Sequence, residues 1–499
     1  MSLLKGIVNL LTGNGQKVIG TKDNDQITVD GDVNIAKLKA GDDTLNVSGN
    51  ADFISAGSGN DTVNVQGNAG HVYLGKGDDE LNIGGDLKKV FAGSGDDTIN
   101  VDGNLGKAFL GKGDDELNVA GSAGIIFAGC GDDKVKVDGN SGLVSLGFGD
   151  DELDIGGNSK IVFAGPGDDS VKIGGDSGKA FLGSGDDTLC VDGNSGFVSA
   201  GSGNDTVNIQ GNSGIAFLGS GDDCIEVGGS SKLIFAGSGN DTVVVDQNAK
   251  FTSLGSGNDQ LYVGGDAGKV TSWKGDNQVM VEGNLKSAWF ALGSNDLYVG
   301  GDSTGIIRTG AKDDLVWIEG NANKIFAGLG NDKVYVAGSA NYVDMGFGNN
   351  EASIGTLNKV FKSWAGNDKV VIGTNDGCVS TGAGKDQVYI GNNNGNVDLG
   401  LGNDTLTLGS FENGSYANGG LGYDVLNIVG DADNFSIKSK WGYQYITDLT
   451  SNATMKTKNF QEINFIDDAT DNLISDFDLS FTKDLKALSC GCTGDVITL

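Results

Sequence analysis

The side chains best suited to chemistry in this chain are carboxylates, and they recur on a fixed step. Asp61, Asp79, Asp97, Asp115, Asp133, Asp151, Asp169, Asp187, Asp205, Asp223, Asp241 and Asp259 follow one another at 18-residue intervals. Looser copies extend upstream to Asp43 and Asp25, and downstream through Asp313, Asp332, Asp368, Asp386 and Asp404 to Asp424. Two glycines precede each strong copy: Gly57 and Gly59, Gly75 and Gly77, Gly93 and Gly95, Gly111 and Gly113, Gly129 and Gly131, Gly147 and Gly149, and on through Gly165 and Gly167, Gly183 and Gly185, Gly201 and Gly203, Gly219 and Gly221, Gly237 and Gly239, to Gly255 and Gly257. Carboxylates stacked by such a repeat repel one another unless cations lie between them. The whole chain, with 67 acidic against 34 basic residues and a formal charge of −33, points the same way and disfavours nucleic acid and anionic membranes as partners.

Other chemistries find little material. His71 is the only histidine, which excludes H-E-x-x-H zinc proteases and Ser-His hydrolases, and no G-x-S-x-G elbow is present. A calcium-dependent polysaccharide lyase or a two-carboxylate glycosidase survives that test. Arg308 is the only arginine, so a phosphate-reading surface of guanidinium forks is not expected. The six cysteines fit neither a zinc spacing nor a dense disulfide framework, and read as small half-buried residues apart from Cys490 and Cys492, which could oxidise. No apolar run reaches the roughly 18 residues of a membrane span.

The carboxylates need elements to hold them. Within each 18-residue unit apolar residues alternate with polar ones twice, at Val63/Val65 and again at Val72/Leu74, the period-2 pattern of half-buried strands. Each unit is therefore two short strands and two turns. Such strands cannot bury a face alone, so the units stack into a parallel ladder of about 22 coils. The last inward position alternates small and large through Ala56, Leu74, Ala92, Leu110, Ala128 and Leu146 to Leu254, with partial compensation from its inward neighbour, as a narrow core requires.

With Ala56 as first position, Gly57, Gly59, Asp61 and Val63 fall on positions two, four, six and eight of G-G-x-G-x-D-x-U-x, and the chain resembles the repeats-in-toxin (haemolysin-type) calcium-binding nonapeptide family from about residue 20 to 430. The resemblance implies an all-β, right-handed parallel β-roll with Ca²⁺ between successive turns, held by the position-six carboxylate and glycine carbonyls. Ca²⁺ chemistry agrees, since the ion takes several oxygen ligands and glycine lets a turn present its carbonyls. The alternative is a metal-free glycine-rich solenoid with Asn/Asp turn ladders. The other half of each coil has Gly70 where the aspartate would stand, so one row of several calcium ions is expected along one edge, with the opposite edge turning through pairs such as Gly139-Asn140 and Gly175-Asp176. The motif decays at Asn277, Asn295 and Asn350, where weak or no ion binding is expected.

On the first strand the outward residues are polar or mixed, from Thr62/Asn64 to Glu152/Asp154. On the second, Tyr73, Phe91, Phe109, Phe127, Phe163, Phe181, Phe217 and Phe235 form a stripe that shifts sideways at Phe53, Phe197 and Phe251. An outward apolar stripe implies lateral association with another copy or a surface polymer; an inverted strand phase would make it core.

The expected organisation is an N-terminal cap over residues 1–20, the calcium-binding roll over 21–418, a small C-terminal β cap over 419–470, and a tail over 471–499 holding a type I export signal. The resemblance implies a secreted, non-enzymatic structural protein of the bacterial cell surface, in a surface layer, sheath or extracellular fibre that folds and assembles with calcium. A calcium-dependent adhesin or polysaccharide-binding module is the second reading. The expected partners are calcium and either further copies or a cell-surface polysaccharide.

Overall fold

The computed structural model describes residues 8–467. The chain is a parallel β-solenoid of about 23 coils with almost no helix. It divides into two compact units, the first running to Ala236 and the second starting at Gly237.

From Thr44 onward each coil of the first unit has a four-residue strand, such as Thr62–Val65, and an eight-residue strand, such as Ala69–Lys76. Both pair in parallel with their equivalents one repeat away: Thr62 with Glu80 and Glu80 with Thr98 on one sheet, Val72 with Val90 and Val90 with Ala108 on the other. The second strand is twice the length of the first and runs on through Gly75, which has φ +127°. A Cβ there would lie 2.0 Å from the carbonyl oxygen of Gly57 in the preceding coil, so only glycine lets the strands continue into the turn in register.

The core is the narrow space between the two sheets. Val63, Val65, Val72 and Leu74 all point into it and are buried, as are Leu110 and Ala128 of the alternating large and small row. The ladder already includes Val8–Thr12 and Gln16–Ile19, which pair in parallel with Gln26–Asp30 and Val33–Ala40. Coils thus begin inside the segment expected as a cap.

The second unit keeps the ladder but varies the filling. Ser272, Phe290, Thr309, Met345 and Ser363 occupy the row that alternated Leu and Ala before, and the longer strand shrinks to three residues at Cys378–Ser380 and Asn396–Asp398. Near its end an antiparallel hairpin, Phe435–Lys440 with Tyr443–Asp448, is inserted before Thr454–Lys458 and Glu462–Ile466 rejoin the parallel ladder on Tyr416–Asn418 and Val425–Val429. These elements lie within the region expected as a C-terminal β cap. The export-signal segment lies outside the described residues.

Candidate cation row

The turn after each long strand brings one aspartate per coil into the interior. Asp61 is 1% exposed, and its equivalents in both units, Asp43 to Asp223 and Asp241 to Asp424, are similarly buried wherever aspartate holds the slot. One carboxylate oxygen of each is used. Asp61 Oδ1 accepts the backbone N–H of Asp43 at 2.8 Å, Asp79 Oδ1 that of Asp61 at 2.7 Å, and the chain of bonds continues to Asp223 in the first unit. In the second unit it runs from Asp241, whose N–H meets Asp259 Oδ1, to Asn277, and resumes at Asn295 to end at Asp424, whose Oδ1 takes the N–H of Asp404.

The other oxygen is not so served. Oδ2 of Asp61, Asp79, Asp97, Asp115, Asp133, Asp151, Asp169, Asp187 and Asp205 is buried with no hydrogen-bond partner among the described residues, and so is that of Asp259, Asp332 and Asp404, whereas Asp314, Asp368 and Asp386 have the hydroxyls of Thr309, Ser363 and Thr381 beside them as hydrogen-bond partners. Burying a carboxylate oxygen without a donor costs several kcal/mol unless the group is protonated or meets a cation. Burial accordingly pushes Asp61 up to about 7 and Asp97 up to about 8, against the partial relief of one backbone N–H each and with added repulsion from neighbouring aspartates. The opposite edge behaves differently. Asp176, exposed there, accepts both the backbone and side-chain N–H of Asn194 and is held below the ordinary carboxylate range.

The two glycines of the motif separate in the structure. Gly57 belongs to the long strand and pairs with Gly75, whereas Gly59 sits in the turn itself. The slots that hold asparagine show where the turn glycine's carbonyl points. Asn277 Nδ2 donates to Gly275 O, Asn295 Nδ2 to Gly293 O, and Asn350 Nδ2 to Gly348 O, each at 2.9 Å. Those glycines are the counterparts of Gly59. In an aspartate coil the same carbonyl and the unpartnered Oδ2 therefore flank one position, and two hard oxygens with a negative charge suit a divalent cation. These are the oxygen donors calcium takes, and no cluster of three or more His, Cys, Asp or Glu among the described residues adds to them.

One position expected from the sequence is corrected. Asp314, not Asp313, occupies the slot: Asp314 is buried and Asp313 exposed. The coil between Asn295 and Asp314 carries one extra residue, absorbed as a register shift between Leu285 and Ala288 on the strand below.

The aromatic stripe lies on the outer face of the long-strand sheet, with Tyr73, Phe127, Phe163 and Phe217 exposed and Phe91, Phe109, Phe181 and Phe235 half-buried. Phe53 meets Tyr73 at 5.5 Å, and Phe197 bridges Phe181 and Phe217 at 5.3 and 5.9 Å, so the sideways steps carry the ladder across those rungs, while Ser145 interrupts it between Phe127 and Phe163. Sequence reasoning missed a second feature. In the second unit the outward positions of the short strands turn apolar, and Met280 and Tyr298 are buried in a cluster with Tyr262 and Trp317. The signal was present in Gln278–Val281 (QVMV) and Asp296–Val299 (DLYV). Among the cysteines, Cys190 and Cys224 are each disulfide-bonded, contrary to the expectation of isolated thiols, while Cys130 and Cys378 are free and exposed. Cys490 and Cys492 lie outside the described residues.

These features define a parallel β-solenoid with one carboxylate-lined edge. No family model and no curated protein matches the chain. Among solved structures it is similar to a hyperactive, Ca²⁺-dependent, β-helical antifreeze protein from an Antarctic bacterium, at 14% identity over 79% of this chain and 85% of that one. The TM-score is 0.16, a superposition too loose to carry an argument. No helix among the described residues is long and apolar enough to cross a membrane.

Proposed function

We propose that this protein is a secreted calcium-binding structural solenoid of the bacterial cell surface, a component of a surface layer, sheath or extracellular fibre that folds and assembles as calcium binds. The observation that carries this reading is the row of buried aspartate oxygens without a hydrogen-bond partner that runs coil after coil from Asp43 to Asp205. Such a row is a liability at neutral pH in the absence of cations and a source of stability in their presence. In a low-calcium compartment the coils repel themselves open, and in a calcium-rich one they close. Two disulfide-bonded cysteines support an oxidising, extracellular setting. The aspartates of the row face inward, not into a cleft where a substrate could meet them, which supports a scaffold role over an enzymatic one.

Circular dichroism and sedimentation of the purified chain, titrated with Ca²⁺ after exhaustive chelation at pH 7.5, test this. A disorder-to-β transition followed by growth in size is the expected result. Full β structure in excess chelator would overturn the calcium assignment, and folding without growth would move the reading to a calcium-dependent adhesin.

A further inference from the structure

The long-strand sheet of the first unit differs in charge from the rest of this acidic chain. Between Ala51 and Phe235 its outward positions carry Lys88, Lys89, Lys107, Lys160, Lys179 and Lys232 against the single acid Asp52. The same face holds the aromatic ladder. Tyr73 and Phe91 stack at 4.8 Å with 12° between planes, as do Phe91 and Phe109 at 14° and Phe217 and Phe235 at 8°. Rings stacked in this way spend their faces on one another and show solvent their edges, the positive part of the ring quadrupole. Lysines and ring edges therefore make one electropositive, partly apolar surface, with Lys89 Nζ lying 4.1 Å from the Phe91 centroid.

Eleven eight-residue strands at ~4.8 Å spacing and ~3.3 Å per residue make a face on the order of 1,000 Å². That exceeds the roughly 800 Å² per partner of a standard protein interface. The complement is present on the same chain. In seven consecutive coils, from Asp78 to Asp186 at 18-residue steps, the residue before the buried aspartate is an exposed aspartate. One oxygen of each is tied to the backbone, as where Asp78 Oδ1 accepts the N–H of Asp96 at 3.0 Å, and the rest of the group faces solvent. This row has the same axial repeat as the lysine-bearing sheet because both follow one ladder.

We infer that the partner of the lysine and aromatic sheet is the aspartate-lined turn edge of a second copy of this chain. Two identical sheets do not pair, because lysine would meet lysine. The contact is heterologous, so it does not close into a dimer but propagates from copy to copy. The inference rests on the calcium-loaded assembly proposed above and names its contact surfaces.

Sedimentation velocity on the full chain in calcium tests it. The wild type is expected to grow with concentration into an open series, and to shrink at high salt as charge pairs are screened. A sheet variant, Lys88→Glu/Lys89→Glu/Lys107→Glu, and an edge variant, Asp96→Asn/Asp114→Asn/Asp132→Asn, are each expected to associate at least tenfold more weakly. The edge variant keeps an amide oxygen for the backbone, as Asn60 does where its Oδ1 accepts the N–H of Asp78. Mixing the two variants should yield a one-to-one pair that grows no further. Unchanged circular dichroism shows that each variant folds. A folded wild type that stays monomeric, a sheet variant that assembles like wild type, or capture of an anionic polysaccharide by those lysines in a monomeric chain would each overturn the inference. Absence of a calcium response in circular dichroism overturns the calcium reading alone, since sedimentation still reports on the two surfaces.

Discussion

The side-chain amide of Asn277 donates to Asn295 Oδ1 in the next coil at 2.8 Å, while also donating to Gly275 O and to Ser272 Oγ. Asn295 repeats the arrangement with Gly293 O, Thr309 O and Asp314 Oδ1. In these slots an NH₂ group stands where an aspartate coil leaves room for a cation, and it satisfies the carbonyl and the neighbouring side chain with no charge at all. The coils around Asn277 and Asn295 are therefore expected to hold together without calcium. In hydrogen exchange of the full chain under excess chelator at neutral pH, amides of 277–299 should stay protected while those of 61–205 exchange freely. Equal loss of protection in both stretches would show that the amides do not replace the ion.

The converse substitution separates the two functions of a slot aspartate. Asp133 Oδ1 accepts the N–H of Asp115 at 2.9 Å, and Asp133 Oδ2 has no partner among the described residues. Asp133→Asn keeps the acceptor and gains a donor for the turn carbonyl. It should raise the melting temperature in chelator, lower it in calcium, and remove one ion from the stoichiometry. Asp133→Ala also abandons the backbone N–H, at a cost of about 1–3 kcal/mol, and should destabilise under both conditions. Thermal melts with and without calcium distinguish them, and an Asn variant that loses stability in chelator contradicts the arrangement.

Much of this was legible in the sequence because a solenoid repeats its physics. The 18-residue step implied the parallel register, and the alternation at Val63/Val65 and Val72/Leu74 implied which side chains fill the core. The row of Asp61 and its equivalents was legible for the same reason. Spacing alone misassigned Asp313, because a single added residue shifts the count while the ladder above and below holds its place. The partnering of Asn277, Asn295 and Asn350 depends on which way neighbouring carbonyls point, and no periodicity reports that. Burial of Met280 and Tyr298 on an outward face likewise depends on tertiary surroundings, not on strand phase.

The alternating core row makes a prediction about volume. Leu110 and Ala128 are buried neighbours on adjacent rungs, flanked by the paired Phe109 and Phe127 outside. Leu110→Ala leaves a cavity and should cost about 2–5 kcal/mol. Ala128→Leu alone overpacks by about 1–3 kcal/mol. Together they restore the total volume in a neighbouring rung, so the double variant should recover part of the loss. Denaturant unfolding in calcium measures all three, and strict additivity would mean that the row tolerates each residue independently.

Acidity is expected to substitute for calcium. In the metal-free fold, burial raises Asp61, Asp133, Asp151 and Asp187 to about 7 and Asp79, Asp115, Asp169 and Asp205 to about 6, from an ordinary value of 3.8. A folded value above the unfolded one means that the native state binds more protons, so stability falls as pH rises. The stabilising contribution is complete below about pH 4, declines steadily as pH rises from there, and is fully lost once pH passes the folded values of about 6 to 7. A shift of three units corresponds to about 4 kcal/mol for one aspartate, and even a fraction of that, repeated over consecutive coils, exceeds the 5–15 kcal/mol by which domains are usually stable. In chelator the chain should therefore be β-structured at pH 5 and largely unfolded at pH 7.5, with the midpoint between 6 and 8. Saturating calcium should abolish this dependence, because an ion fills the role of the proton at the unpartnered oxygens. Circular dichroism against pH, with and without calcium, reads both curves, and a chelated protein that gains structure as pH rises would contradict the sign derived from the buried aspartate row.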